Sequence, residues 1–91
     1  MDINNIRRII VKVLLDNGLQ ANIDYTKNDF CIIIEATYYK LKIYSTTIFT
    51  KFEIFDKISK KYLTSYYENN DNINKREFIQ FLNNNLYFIM D

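Results

Sequence analysis

The chain has no histidine, proline or tryptophan, and its 91 residues include one glycine and one cysteine. Without histidine, it lacks the commonest general base and the commonest metal ligand among side chains. A phosphate-binding loop needs glycines where the backbone approaches the ligand, so a single glycine excludes one. A single cysteine can form neither an internal disulfide nor a zinc site. We therefore expect no enzymatic activity and no cofactor.

The side chains that could still carry chemistry have simpler interpretations. Cys31 lies in the apolar stretch FCIII, where a buried small hydrophobe is expected rather than a nucleophile. The carboxylates of Glu53 and Asp56 are interpreted as solvated charges on a helix. A lone cysteine also fits a reducing compartment.

Composition and charge predict one folded domain spanning residues 1–91. Hydrophobic residues make up 48% of the chain, which is enough for a packed core. The net charge of +1, with both signs spread along the chain, argues against a dedicated polyanion binder. The apolar run near the N-terminus is short and is interrupted by Arg7, Arg8 and Lys12, so it predicts neither a signal peptide nor a membrane span. A cytoplasmic location in a host cell is expected.

Apolar spacing predicts a first helix and then three strands. Residues 2–17 show a helical period, with Asp2 as the cap and Asn17-Gly18 as the stop. Alternation predicts strands at residues 21–26 and 39–45, and FCIII reads as a central strand between them. The segment 27–29 is predicted to turn, with Asn28 tolerating a positive φ.

Two further helices are predicted after the strands. Residues 49–67 place apolar side chains on one side of a helical wheel, with Glu53–Lys57 and Asp56–Lys60 as i, i+4 ion pairs. A last helix begins near Asn74, which forms a capping pattern with Glu77. The predicted fold class is α+β: a helix, a three-stranded antiparallel sheet and two C-terminal helices.

The segment from Tyr66 to Glu77 resembles part of a calcium-binding loop. With Glu77 as the twelfth position, Glu68 and Asn70 fall on ligand positions. The first ligand would then be Tyr66, and Asp71 would replace the glycine that the sharp turn requires. A loop that caps the last helix accounts for the same residues, so no metal site is predicted.

Two kinds of binding surface remain. Lysines beside tyrosines could contact phosphates and stack on bases, which would make the protein a small nucleic-acid-binding regulator; this alternative uses Lys40, Lys42, Lys57, Lys60 and Lys61. The surplus of aromatic residues favours protein binding instead, because exposed tyrosines are typical of protein interfaces. The predicted protein-binding residues are Tyr38, Tyr44, Tyr66, Tyr67, Glu68, Asp71, Phe81 and Tyr87. A homodimer would use the same surface.

The abundance of Ile, Asn, Lys, Tyr and Phe indicates an AT-rich genome, such as that of a low-GC bacterium or its phages, or of a large DNA virus. We expect an accessory protein of a phage or mobile element that acts by binding a protein, as an inhibitor of a host defence would. The opening MDINNIRRI, the segment YYENNDNINKREFIQFL and the predicted element order together resemble small phage-encoded anti-CRISPR proteins that inhibit Cas9. The resemblance implies a protein that binds and blocks a Cas effector. The family member it resembles is strongly acidic, whereas this chain is nearly neutral, which implies a different mechanism.

Overall fold

The computed structural model describes residues 1–20 and 22–90, which form two α-helices and five strands. Helix α1 spans Ile3–Asp16 and helix α2 spans Lys75–Leu86. Between them lie β1 (Ile23–Thr26), β2 (Asp29–Glu35), β3 (Tyr39–Ser45), β4 (Phe49–Asp56) and β5 (Lys61–Asn69). A short 3-10 helix, Asn70–Asn72, joins β5 to α2. The strands form one antiparallel sheet in the order β1-β2-β3-β4-β5, so each pairs with its neighbours in sequence.

The predicted arrangement is wrong in its second half. The chain is α+β, but the sheet has five strands, and one helix follows it instead of two. Residues 49–67, predicted as a helix, form most of the β4–β5 hairpin. The predicted pairs Glu53–Lys57 and Asp56–Lys60 are therefore not helical neighbours; Glu53 lies beside Lys51 and Lys57 bonds Glu35.

Period-2 alternation explains why residues 49–56 form a strand. Thr50, Phe52 and Ile54 are buried on one face, whereas Lys51 and Glu53 point to the other. The segment is also rich in β-branched and aromatic residues, which pack well on a pleated sheet. The helical wheel placed Ile54 and Phe55 on one side, but in a strand these adjacent residues face opposite ways.

The first and last helices are confirmed, with the predicted caps. The carboxylate of Asp2 accepts a hydrogen bond from the Asn5 backbone N–H at 2.9 Å. The amide oxygen of Asn74 accepts one from the Glu77 N–H at 3.1 Å. These side chains satisfy donors that a helix N-terminus otherwise leaves free. The predicted strands 39–45 and FCIII are also confirmed, whereas the predicted strand start at Ala21 lies outside the described residues.

Both helices pack on the same face of the sheet. One apolar core joins the buried stripes of α1 and α2 to the inward side chains of the central strands; its strand members include Ile32, Leu41, Ile43, Phe52 and Ile54. The opposite face of the sheet therefore has no helix over it within residues 1–20 and 22–90. No helix in these ranges is long and apolar enough to cross a membrane.

Two turns contain non-glycine residues with positive φ. Lys27 has φ 53° between β1 and β2, so the residue with positive φ is Lys27 and not Asn28, as predicted. Lys60 has φ 57° between β4 and β5. In the second turn, the Asp56 carboxylate accepts hydrogen bonds from the Ile58 and Ser59 N–H groups at 2.9 and 3.3 Å. These bonds, that from Ile58 above all, lower the pKa of Asp56.

Candidate binding surface on the open face of the sheet

The outer face of the sheet, the side opposite the helices, is built from side chains that pair across the strands. Three rows cross it from β2 to β5: Cys31, Tyr44, Lys51, Tyr67; Ile33, Lys42, Glu53, Ser65; and Glu35, Lys40, Phe55, Tyr62. Phe49 at the start of β4 lies on the same face, beside the first row. We call these thirteen residues the outer face.

Aromatic rings form two groups on the outer face. Phe49 stacks on Tyr67 with ring centroids 5.0 Å apart and also contacts Tyr44 at 6.0 Å. Phe55 meets the edge of Tyr62 at 5.2 Å. Tyr67 is 60% exposed and Tyr62 61% exposed, although both lie in regular strand structure. Large rings held by a sheet and left in water are a feature of interaction surfaces.

The charges between the rings are of both signs. The Glu35 carboxylate lies 3.1 Å from the Lys57 ammonium and 3.8 Å from that of Lys40. The hydrogen bond and charge of Lys57 hold the pKa of Glu35 below its ordinary value. Lys51 lies 3.8 Å from Glu53 in the same way. The outer face therefore carries both signs of charge and no uninterrupted basic stripe.

One hydroxyl at the rim is also fixed. The Tyr44 hydroxyl donates to the Asp29 carboxylate at 3.3 Å, across the start of β2. Burial of the ring and the charge of Asp29 raise the pKa of Tyr44. The hydroxyl thus keeps the proton that it donates to Asp29.

The structure brings together only some of the predicted protein-binding residues. Tyr44 and Tyr67 lie on the outer face. Tyr66 and Phe81 instead face each other between sheet and α2, 4.6 Å apart, and Phe81 also contacts Phe52 at 5.0 Å. Burial raises the pKa of Tyr66, with contributions from Glu68 and Glu77. Neighbouring residues in a strand point to opposite faces, so Tyr66 and Tyr67 do not form one surface.

The other four predicted residues are scattered. Tyr38 is exposed in the β2–β3 connection and Tyr87 is exposed after α2. Glu68 lies near the end of β5, and Asp71 in the 3-10 helix. None of these four belongs to the outer face as defined.

The predicted lysines do not form one patch either. Lys40 and Lys42 lie on the outer face as expected for strand β3. Lys57 is fixed at the rim by Glu35 and by the Ala36 carbonyl oxygen, which is 2.7 Å from its ammonium. Lys60 and Lys61 lie in the turn and at the start of β5, not on a helix.

The calcium-like segment serves a structural purpose. Asn70, which would supply a ligand oxygen, is buried, and its amide oxygen accepts a hydrogen bond from the Thr50 hydroxyl at 2.8 Å. Its amide nitrogen donates to the Thr46 carbonyl at 2.8 Å. Ile73 is buried against the core, and Asn74 caps α2. Over the described residues, no group of three or more His, Cys, Asp or Glu side chains could hold a metal ion.

Sequence reasoning predicted four of the thirteen outer-face residues as binding residues: Tyr44, Tyr67, Lys40 and Lys42. It placed eight of the others on a helix or in an apolar buried strand: Cys31, Ile33, Phe49, Lys51, Glu53, Phe55, Tyr62 and Ser65. Lys51 and Glu53 alternate with apolar neighbours, as the residues of β3 do. This alternation was the sequence signal that could have identified β4 as a strand.

Comparison of the chain with protein-family models, with curated proteins and with solved structures finds no match in any of the three.

Proposed function

We propose that the protein acts by binding another protein through the outer face. The observation that carries the proposal is the position of both helices on one side of the sheet, which leaves structured aromatic rings exposed on the other. The partner surface should present apolar groups to the two ring groups and charges of both signs to Lys42, Lys51 and Glu53.

The ion pairs on the outer face favour a protein partner over a nucleic acid. Single-stranded nucleic acid is held by free ring faces along a positively charged groove. Here one face of Phe49 is occupied by Tyr67, and three neighbouring lysines form ion pairs with Glu35 or Glu53. With a net charge of +1, the whole chain adds little attraction for phosphates.

The test compares two double variants as bait in a nuclease-treated pull-down from host lysate. Tyr62→Ser with Tyr67→Ser removes two exposed rings from the outer face. Tyr25→Ser with Tyr87→Ser removes two exposed tyrosines elsewhere, so it is the matched control. We expect a protein retained by the native chain and by the control to be lost by the outer-face variant, by at least about tenfold in affinity.

Three results would contradict the proposal: equal retention by the two variants, loss of the partner in both, or recovery of nucleic acid alone. Circular dichroism of each variant checks that the sheet is intact. Tyr66, the neighbour of Tyr67, is left unchanged in these variants, because it packs under α2 and its loss would disturb the fold.

The partner class that the anti-CRISPR resemblance implies is a further part of this proposal. The resemblance used an element order that the chain does not have, so its remaining support is the similarity of MDINNIRRI and YYENNDNINKREFIQFL. DNA cleavage by Cas9 loaded with guide RNA, measured with and without the protein, tests it. Inhibition lost in the Tyr62, Tyr67 variant supports a Cas effector as partner; undiminished cleavage with the native chain rejects Cas9.

A further inference from the structure

Strand β5 is the long free edge of the sheet. It pairs with β4 alone and runs for nine residues, whereas β1 at the opposite edge has four. Among the described residues, β5 receives no backbone hydrogen bond from any element other than β4. An antiparallel strand with one neighbour leaves alternate N–H and C=O groups pointing outward, and these can pair with another strand.

The sequence of β5 does little to protect this edge. Natural edge strands usually carry a central charge, a proline or a marked bulge, or they are very short. The six residues from Tyr62 to Tyr67, YLTSYY, contain no charge, no proline and no glycine, and tyrosine and threonine favour strands. The register shift in the hairpin is a bulge within β5 at Leu63, which has no partner on β4, and it leaves the stretch from Thr64 to Asn69 regular.

The charges of β5 stand at its two ends in a self-complementary order. Lys61 pairs with Asp56 of β4, and Glu68 pairs with Thr50. Ser65 pairs with Glu53, which is midway between those two positions of β4. With the bulged Leu63 left unpaired in both copies, a twofold axis through Ser65 would therefore bring Lys61 of one copy opposite Glu68 of another, twice.

The same twofold axis relates the positions of Tyr62 and Tyr67. Tyr62 pairs with Phe55 and Tyr67 with Lys51, and these β4 positions are equally far from Glu53. The axis through Ser65 thus places Tyr62 opposite Tyr67 of the second copy. Both lie on the outer face, as directly opposed residues in an antiparallel pair must, and Ser65 at the axis is small enough to face itself.

We propose that β5 is a dimerisation edge: two copies of this chain pair antiparallel through β5, centred on Ser65, to form a continuous ten-stranded sheet. The second copy is favoured over a foreign strand because one segment supplies both members of every pair across the axis. Edge pairing buries less surface than a standard interface, so the dimer should be weak, with a dissociation constant on the order of micromolar.

The test uses charge reversal and sedimentation equilibrium over a wide range of protein concentration. Lys61→Glu places two carboxylates opposite each other at both ends of the interface, and Glu68→Lys places two ammonium groups there. Each single variant should weaken self-association roughly tenfold, since two exposed cross-strand attractions become repulsions. Lys27→Glu, in the turn at the far edge, makes the same charge change and should leave self-association unaltered.

Two recovery experiments identify the pairing itself. The double variant Lys61→Glu with Glu68→Lys restores opposite charges and should dimerise like the native chain. An equimolar mixture of the two single variants should form a mixed dimer more tightly than either variant forms with itself. Circular dichroism and thermal unfolding check that every variant is folded.

The proposal is overturned by a native chain that stays monomeric at the highest concentration. It is also overturned by single variants that associate as the native chain does, or by reversals that are not rescued in the double variant and the mixture. These outcomes do not depend on the outer-face partner, because they are measured on the isolated protein.

Discussion

Asn70 is the centre of a small polar cluster on the helix side of the sheet, which it forms with Ser45, Thr46 and Thr50. Its amide oxygen accepts from Thr50 and its amide nitrogen donates to the Thr46 carbonyl, both at 2.8 Å. The Thr50 hydroxyl proton is used in that bond, so in the 2.8 Å contact between Ser45 and Thr50 the Ser45 hydroxyl must be the donor. Each hydroxyl and the Asn70 amide therefore have one orientation that satisfies all the hydrogen bonds. The side chains of Ser45, Thr50 and Asn70 are all buried.

Replacing Asn70 by alanine should lower the free energy of unfolding by about 2–4 kcal/mol, because the Thr50 hydroxyl and the Thr46 carbonyl would lose their partner. Urea unfolding followed by circular dichroism measures the loss. Asn72→Ala is the matched control: Asn72 is exposed in the same short helix, and its removal should cost less than about 0.5 kcal/mol. Equal costs for the two variants would show that the cluster does not stabilise the fold.

Composition could not reveal the position of Asn70. In the sequence it is one of several asparagines in a run of loop-forming residues, and local rules treat them alike. Only the return of the chain over Thr46 and Thr50 distinguishes it, a contact across about twenty residues that no short pattern encodes. Asn74 was predictable, because a cap is defined by the residues that follow it directly.

At the level of elements, the β4–β5 hairpin is where two periodicities compete. Apolar residues at positions 54, 55, 58, 62 and 66 fit one side of a helical wheel, yet positions 50, 52 and 54 also alternate as in a strand. The strand prevails because Phe52 and Ile54 complete the core beside Leu41 and Ile43 of β3. The helices at the two ends had no such competitor, since their apolar spacing fits one period alone.

The turn of this hairpin stores backbone strain at Lys60, whose φ is 57°. A side chain in the left-handed region costs about 1–2 kcal/mol, and glycine removes that cost at some loss of chain entropy. Lys60→Gly should therefore raise the free energy of unfolding by about 0.5–1 kcal/mol. Lys61→Gly, one residue later in β5, should lower it by a similar amount. Stability that falls in the Lys60 variant would contradict the strained turn.

At the scale of the whole molecule, the outer face was half predictable. Tyr44, Lys40 and Lys42 were recognised because β3 was recognised, and alternation assigns one face of a strand to solvent. Because residues 49–67 also fit a helical wheel, the side chains that β4 and β5 contribute to the outer face could not be predicted. Which face of the sheet remains open depends on where the two helices pack, and the sequence is equally compatible with one helix on each face.

Dimerisation through β5 would join two outer faces into one, yet the two binding functions should be separable by position. Tyr44→Ser removes a ring on β3, two strands from the edge, so it should weaken partner binding at least about tenfold without changing self-association. Lys61→Glu should weaken self-association and leave the affinity of a single protomer for the partner unchanged, because its side chain lies off the outer face.

Isothermal titration with the captured partner, below and above the dimer dissociation constant, measures both affinities. If Lys61→Glu abolishes partner binding even in dilute solution, the partner occupies the β5 edge itself, and the two surfaces described here are one.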